Sequence, residues 1–137
     1  LISGIGSAIK AASPDTKIIG VSATHSAALA ASICAGKVVE TEHLDTLADG
    51  CAGGVDNDAI TLAIAAEVVD ELVYCSEEEI QTALRILAWK ENMIVEGAAG
   101  LALAGYLADH SNFDGHTNVI LLCGANFDQV RIEAVLS

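Results

Sequence analysis

Apolar positions recur at helical spacing over residues 2–12, where Ile2, Ile5, Ile9 and Ala12 share one face. Ser13-Pro14-Asp15 ends that helix, since proline lacks the N–H a helix interior needs. The pattern then changes period. Lys17-Ile18-Ile19-Gly20-Val21 is a short run of strand length, followed by an Ala-rich helix over residues 26–35 that Gly36 closes as a left-handed C′ residue. Residues 37–42 are short and open to an extended reading, and residues 43–54 form a loop of small residues. Asp56 to Asp58 can cap a helix running to about Val69, with Ile60, Ile64 and Val68 on one face. Glu71-Leu72-Val73-Tyr74-Cys75 is the next strand, and Ser76 with Glu79 makes a capping box for a helix to about Glu91. Glu77 to Glu79 place acidic charge on the positive end of that helix, a structural rather than catalytic use.

The carboxyl-terminal third repeats the alternation. The run from Met93 to Val95 ends in Glu96, a lone carboxylate before Gly97-Ala98-Ala99-Gly100, which opens an Ala/Leu helix to about Asp109. Glu96 is either a surface N-cap or a partly buried acid; the residues leave both open. After a polar loop, Val119-Ile120-Leu121-Leu122 is too brief for a helix and suits a strand buried on both faces. It stops at Cys123-Gly124-Ala125-Asn126, which supplies a thiol, a residue free to take positive φ and a side-chain amide. In open parallel sheets, ligands bind just beyond the carboxyl ends of the strands. A plain tight turn after a core strand fits the same four residues. Residues 129–137 allow a short terminal helix. Helices alternating with strands near Ile18, Val73 and Ile120 predict an α/β fold, an open and mostly parallel sheet with helices on both faces, in a single domain over residues 1–137.

Composition narrows the partners. A chain that is 53% hydrophobic and 18% charged can build a core, and its apolar runs break well before membrane-spanning length. A net charge of −13 with only six Lys and Arg argues against nucleic acid and anionic membranes, so an anionic ligand would have to be held by backbone N–H groups. Cys34, Cys51, Cys75 and Cys123 stand singly without C-x-x-C spacing, as reduced thiols of a cytoplasmic protein rather than a zinc or disulfide framework. His25, His43, His110 and His116 fall in separate loops without metal-ligand spacing. The helix over residues 2–12 is half of a βαβ unit whose first strand would precede Leu1, so the chain is expected to be a piece of a longer protein. A Gly-rich loop joining that strand to Ile2 would turn the first N–H groups of the helix toward a phosphate.

Six separated stretches, in order, resemble one family: Leu1-Ile2-Ser3-Gly4, Lys17 to Val21, Asp45-Thr46-Leu47-Ala48-Asp49-Gly50, Ser76-Glu77-Glu78-Glu79-Ile80, Val95 to Gly100, and Cys123-Gly124-Ala125-Asn126. Over residues 1–128 the chain is similar to the serine/threonine dehydratases and serine racemases, pyridoxal-phosphate enzymes of fold type II with a tryptophan synthase β-like large domain. The resemblance implies the carboxyl-terminal part of a catalytic domain whose glycine-rich loop and Schiff-base lysine lie upstream. Lys10, Lys17, Lys37 and Lys90 match no Schiff-base motif, so no catalytic residue is assigned in this chain. It further implies that Leu1 borders the phosphate of pyridoxal 5'-phosphate, Cys123 faces the pyridine nitrogen, Asn126 orients the ring and Glu96 lies at the cofactor's edge. A thiol does not carry the charge that would hold a protonated pyridinium, so the ring stays neutral, which suits β-elimination. The implied parent is an L-threonine/L-serine ammonia-lyase, the fragment alone being inactive, with a small amino-acid substrate, the missing upstream part and a homo-oligomeric state when intact. Racemase activity and a non-enzymatic binding domain are the alternatives. Two departures from the family pattern involve three positions. Ala125 replaces a glycine, and Ser22 and Ala28 stand where many members carry carboxylates for Mg²⁺ or Ca²⁺, so no metal is expected.

Overall fold

The computed structural model describes every residue from Leu1 to Ser137. Its centre is a parallel pair of strands, β1 (Ile19–Ala23) and β2 (Glu71–Cys75), in register from Ile19 opposite Glu71 to Ala23 opposite Cys75. Parallel neighbours need a long crossover. Here it contains α2 (Ala28–Ala35), a 3-10 turn at Asp49–Cys51 and α3 (Ile60–Val68). The remaining helices are α1 (Ile2–Ala12), α4 (Glu77–Lys90), α5 (Gly97–Ala108), the single turn α6 (His110–Phe113) and α7 (Gln129–Leu136).

Alternation along β1 assigns the helices to faces. A Cβ on Gly20 would meet Ile2, Leu72 and Val69, whereas the next residue, Val21, packs against Gly105 of α5. So α1 lies on one face and α5 on the other. On the first face α1 and α3 run side by side, joined near their starts by Ser3 Oγ donating to the Thr61 carbonyl and near their ends by Lys10 with Asp70. Both precede their strand, so their amino ends lie at the sheet's carboxyl edge, as does the start of α4. The opposite face carries α4 and α5, which meet where Gly100 admits the Leu84 side chain.

Small residues make these approaches possible. The core cluster consists of Ala23, Ala48, Ala83, Ala99 and Ala104 around Ile80, Leu84, Leu87, Leu101 and Val95, with Cys75 and Val135. Helix α4 starts on the expected capping box: Ser76 Oγ accepts from the Glu79 N–H while Glu79 Oε2 accepts from the Ser76 N–H at 2.7 Å. No helix is long and apolar enough to cross a membrane.

The alternation of helices with parallel strands agrees with the α/β expectation, and several details do not. Val119 is 88% exposed, and the backbone groups of residues 119–123 make no hydrogen bonds within the chain. The stretch expected as a strand buried on both faces is therefore an unpaired segment. An apolar run shows what can be buried, but a strand exists only where a neighbour takes its N–H and C=O groups. Strand β1 starts at Ile19 rather than Lys17, because Asp70 accepts the Ile18 N–H and Lys17 turns out to Glu71. Asp56 and Asp58 do not cap α3, whose N-cap is Ala59, and α2 begins at Ala28 because Ser26 Oγ accepts the Gly53 N–H. His110 begins α6 rather than sitting in a loop.

Asp70 ties three elements at the amino edge of the sheet: Lys10 of α1, the Ile18 N–H before β1, and β2 itself. The Lys10 ammonium first, and then the Ile18 N–H, hold its carboxyl below the usual aspartate value. A depressed folded-state value contributes stability above an unfolded pKa of about 3.9, lost as pH falls through the folded value. Asp70→Asn is expected to lower stability by about 1 kcal/mol near neutral pH and to flatten the stability profile below about pH 4. Urea unfolding at several pH values measures both.

Candidate functional site

Glu96 is the N-cap of α5, in an extended conformation that leaves its side chain free of the usual capping bond. The carboxylate turns away from its own helix instead. Glu96 Oε2 accepts the Asn126 N–H at 3.0 Å, and the Glu96 N–H donates to the Gly124 carbonyl at 3.3 Å. Two hydrogen bonds thus clasp the turn after residues 119–122 to the start of α5. Gly124 has φ +123°, which favours glycine, and a Cβ there would stand 2.2 Å from Glu96 Oε1 and displace the carboxylate. A Cβ on Gly50 would come within 3.2 Å of the same oxygen. The half-buried carboxylate therefore sits between two glycine turns, Asp49-Gly50-Cys51 and Cys123-Gly124-Ala125.

The first turn is anchored from beneath. Glu77, in the first turn of α4, accepts from Thr46 Oγ1 at 2.6 Å and from the Leu47 N–H at 2.7 Å. Arg131 of α7 donates to Asp45 at 2.6 Å, to the Thr46 carbonyl at 3.2 Å and to Asp49 at 3.4 Å. Gly97 completes the seat, since a Cβ there would fall 1.7 Å from the Leu47 carbonyl oxygen. His25 adds Nδ1 to the Asp45 carbonyl at 2.7 Å. A cavity of about 30 Å³ is lined among others by Leu47, Asp49, Glu96, Phe127 and Arg131. It has room for a water molecule and none for a heteroaromatic ring.

The structure brings Glu96, Asn126 and the half-buried Cys123 together at the two clasping bonds. Leu1, 73% exposed, heads α1 on the other face of the sheet and makes no hydrogen bond to any of them. What it shares with them is the carboxyl edge. The first turn of α1 carries no acidic residue, leaving its N–H groups open to an anion. The Asp49-Gly50-Cys51 turn and Arg131 were not singled out from sequence as site residues. The signal for the first was the small-residue loop itself; for Arg131 there was none, because its partners lie far away in sequence. Cys51 is one such surprise. Its thiol donates to the Ala48 carbonyl at 3.2 Å, and its pKa is pushed up, first by burial and then by Asp49, Cys123 and Glu96 nearby. No group of three or more His, Cys, Asp or Glu side chains is arranged to hold a metal ion.

Comparison with known proteins identifies the family. The family described as pyridoxal-phosphate dependent enzyme matches residues 1–124. A catabolic L-threonine dehydratase of Staphylococcus aureus is 34% identical over 99% of this chain and 40% of its own length, and an L-threonine ammonia-lyase of Thermotoga maritima is 33% identical over 100% and 34%. This chain thus spans about two fifths or less of the curated relatives it matches. Among solved structures, a T.th. threonine deaminase superposes with a TM-score of 0.85 at 32% identity, covering 93% of this chain and 46% of that one. Threonine deaminase isoform 2 of Solanum lycopersicum gives 0.86 at 29%, covering 98% and 38%. Maize serine racemase, at 0.85 and 24% identity over 98% and 42%, shares the fold. With a family match over residues 1–124 and a fold shared with threonine deaminases, the chain belongs to the pyridoxal-phosphate dependent enzymes of fold type II.

Proposed function

We propose that this chain forms the carboxyl-terminal part of the catalytic domain of an ammonia-lyase acting on L-threonine or L-serine. In this reading Leu1, Glu96, Cys123 and Asn126 line the cofactor. The observation that carries it is the clasp: Glu96 holds the Gly124 turn by two hydrogen bonds and so fixes Cys123 and Asn126 beside its own carboxylate. The donor set suits pyridoxal 5'-phosphate. The amino end of α1 offers N–H groups to a phosphate without acidic repulsion, and a cysteine offers the pyridine nitrogen a weak hydrogen-bonding partner.

When bound, the cofactor supplies an electron sink for the charge that develops at the substrate's α-carbon. The residues of this chain position and tune it. Cys123 offers a weak donor and no formal charge, which keeps the sink moderate and favours departure of a β-hydroxyl over a long-lived carbanion. Asn126 orients the ring with its amide. Glu96 has one oxygen occupied by the Asn126 N–H and presents the rest of its carboxylate at the cofactor's edge.

None of the chain's lysines is placed to bond the cofactor. Lys10 and Lys17 pair with Asp70 and Glu71 at the amino edge of the sheet, opposite the clasp, and Lys37 and Lys90 lie after α2 and at the end of α4. The proton transfers at the α-carbon therefore fall to residues outside this chain, and residues 1–137 alone carry no turnover.

The complete enzyme is expected to release equimolar 2-oxo acid and ammonia from L-threonine or L-serine, with none from residues 1–137 alone. D-serine formed without matching pyruvate, or turnover by this chain by itself, overturns the reading. Gly124→Ala pushes a methyl group into Glu96 at a backbone angle unfavourable to alanine and is expected to weaken cofactor binding at least about tenfold, equivalent to ~1.4 kcal/mol, as read by spectroscopic titration of the complete enzyme. Cys123→Asp supplies an acid able to pair with a protonated ring nitrogen and is expected to shift the ratio of elimination to α-proton exchange; an unchanged ratio removes Cys123 from the ring.

A further inference from the structure

Arg131 stands in the first turn of α7, where its own N–H donates to Asp128 Oδ1 at 2.9 Å and so starts the helix. Its guanidinium reaches across to the loop at residues 45–51. Nη2 donates to Asp45 Oδ1 at 2.6 Å, and Nη1 is shared between the Thr46 carbonyl at 3.2 Å and Asp49 Oδ2 at 3.4 Å. No other side chain bonds the carboxylate of Asp45 or of Asp49. Glu77 holds the same loop at Thr46 and Leu47, so the half that carries Gly50 has its side-chain tie in Arg131.

These contacts close a ring around one carboxylate. Glu96 Oε2 accepts the Asn126 N–H, Asp128 two residues on caps α7, and Arg131 joins α7 to Asp45 and Asp49. From Asp49 the chain passes to Gly50, whose Cβ position lies 3.2 Å from Glu96 Oε1. Arg131 and Glu96 also line the same cavity of about 30 Å³, with Asp49, Phe127 and Asp128 among its walls. One guanidinium thus links the two turns that flank Glu96.

We propose that Arg131 is a positioning residue of the cofactor site, setting through Asp45, Thr46 and Asp49 how closely the Gly50 turn approaches the Glu96 carboxylate. The inference rests on the reading above that Glu96 lines the cofactor. Pairs this exposed contribute little to overall stability: the side chain of Asp45 is 88% exposed, that of Asp49 66% and that of Arg131 41%. What three acceptors on one rigid fork supply is geometry. A lysine ammonium keeps the charge, but as a compact charge on a flexible stem it does not hold three acceptors in a fixed arrangement. Loss of the fork therefore loosens the Gly50 turn and leaves the core intact. A displaced Gly50 gives Glu96 Oε1 room to swing, which changes the carboxylate presented at the cofactor's edge.

The first measurement is amide exchange on residues 1–137 carrying Arg131→Gln or Arg131→Lys. The Cys51 and Ala52 amides, bonded to the Ala48 and Asp49 carbonyls within the turn, are expected to exchange at least about tenfold faster in both variants, while the α4 amides keep their rates. Unchanged exchange at Cys51 and Ala52 overturns the proposal, and so does loss of α4 protection in both variants, which makes Arg131 a folding residue. The second measurement is made on the complete enzyme with pyridoxal 5'-phosphate bound. Arg131→Gln is expected to shift the cofactor's absorbance and to lower kcat for 2-oxo acid release at least about tenfold, by a larger factor than it raises KM. Full recovery of both in Arg131→Lys contradicts the fork. Glu96→Gln separates this proposal from the reading beneath it. If Glu96→Gln shifts the absorbance and Arg131→Gln does not, the positioning role is lost and the cofactor site stands. If neither shifts it, Glu96 is not at the cofactor and both fall.

Discussion

The arrangement at the carboxyl edge depends on one side chain, the Glu96 carboxylate, held where three backbone segments converge. It accepts the Asn126 N–H, lies against Gly50 and Gly124, and caps α5 only through its backbone. A charge in that half-buried position costs desolvation unless hydrogen bonds compensate it. The flanking glycines let backbone come close enough to do so. Gly97 has the corresponding role at the next position, admitting the Leu47 carbonyl where any side chain would collide. The glycines are thus spaces through which separate loops reach one acid.

The same logic explains why the anchoring network is so extensive. Loop 45–51 has no regular structure before its 3-10 turn, and without support its conformational entropy would oppose the close packing at Gly50. Glu77 takes two donors from it and Arg131 donates to three of its acceptors, so α4 and α7 hold it from beneath. The acidic run at residues 77–79 divides its labour accordingly: Glu79 closes the capping box while Glu77 serves the loop. The structural use expected of that run agrees with these bonds.

What was legible in the sequence was local. Helix α1 and strand β2 fall where periodicity placed them, and the Ser76 box and the Gly36 end of α2 follow from capping chemistry acting within a few residues. Residues 119–122 read wrongly as a paired strand because pairing is a property of neighbours. Their apolar composition reports a capacity that residues 1–137 do not use. Within the candidate site, Glu96 and the Cys123 turn stand out by their position at element ends, and the fold joins them through the Asn126 N–H that Glu96 accepts. Arg131 and Cys51 could not, since each acquires its meaning from partners distant in sequence, and neither spacing nor composition records such meetings.

The central claim is that the Glu96 carboxylate fixes the turn at residues 124–126, and amide hydrogen exchange reads it most directly. The Asn126 N–H, bonded to Glu96 Oε2, is expected to exchange at least about tenfold more slowly than the Val119 and Leu121 amides, which have no partner, a difference of ~1.4 kcal/mol in local opening. In Glu96→Ala that protection should vanish while amides in α4 remain slow. Equal exchange at Asn126 and Val119 in the unaltered protein, or protection at Asn126 that survives Glu96→Ala, contradicts the clasp and the site built on it.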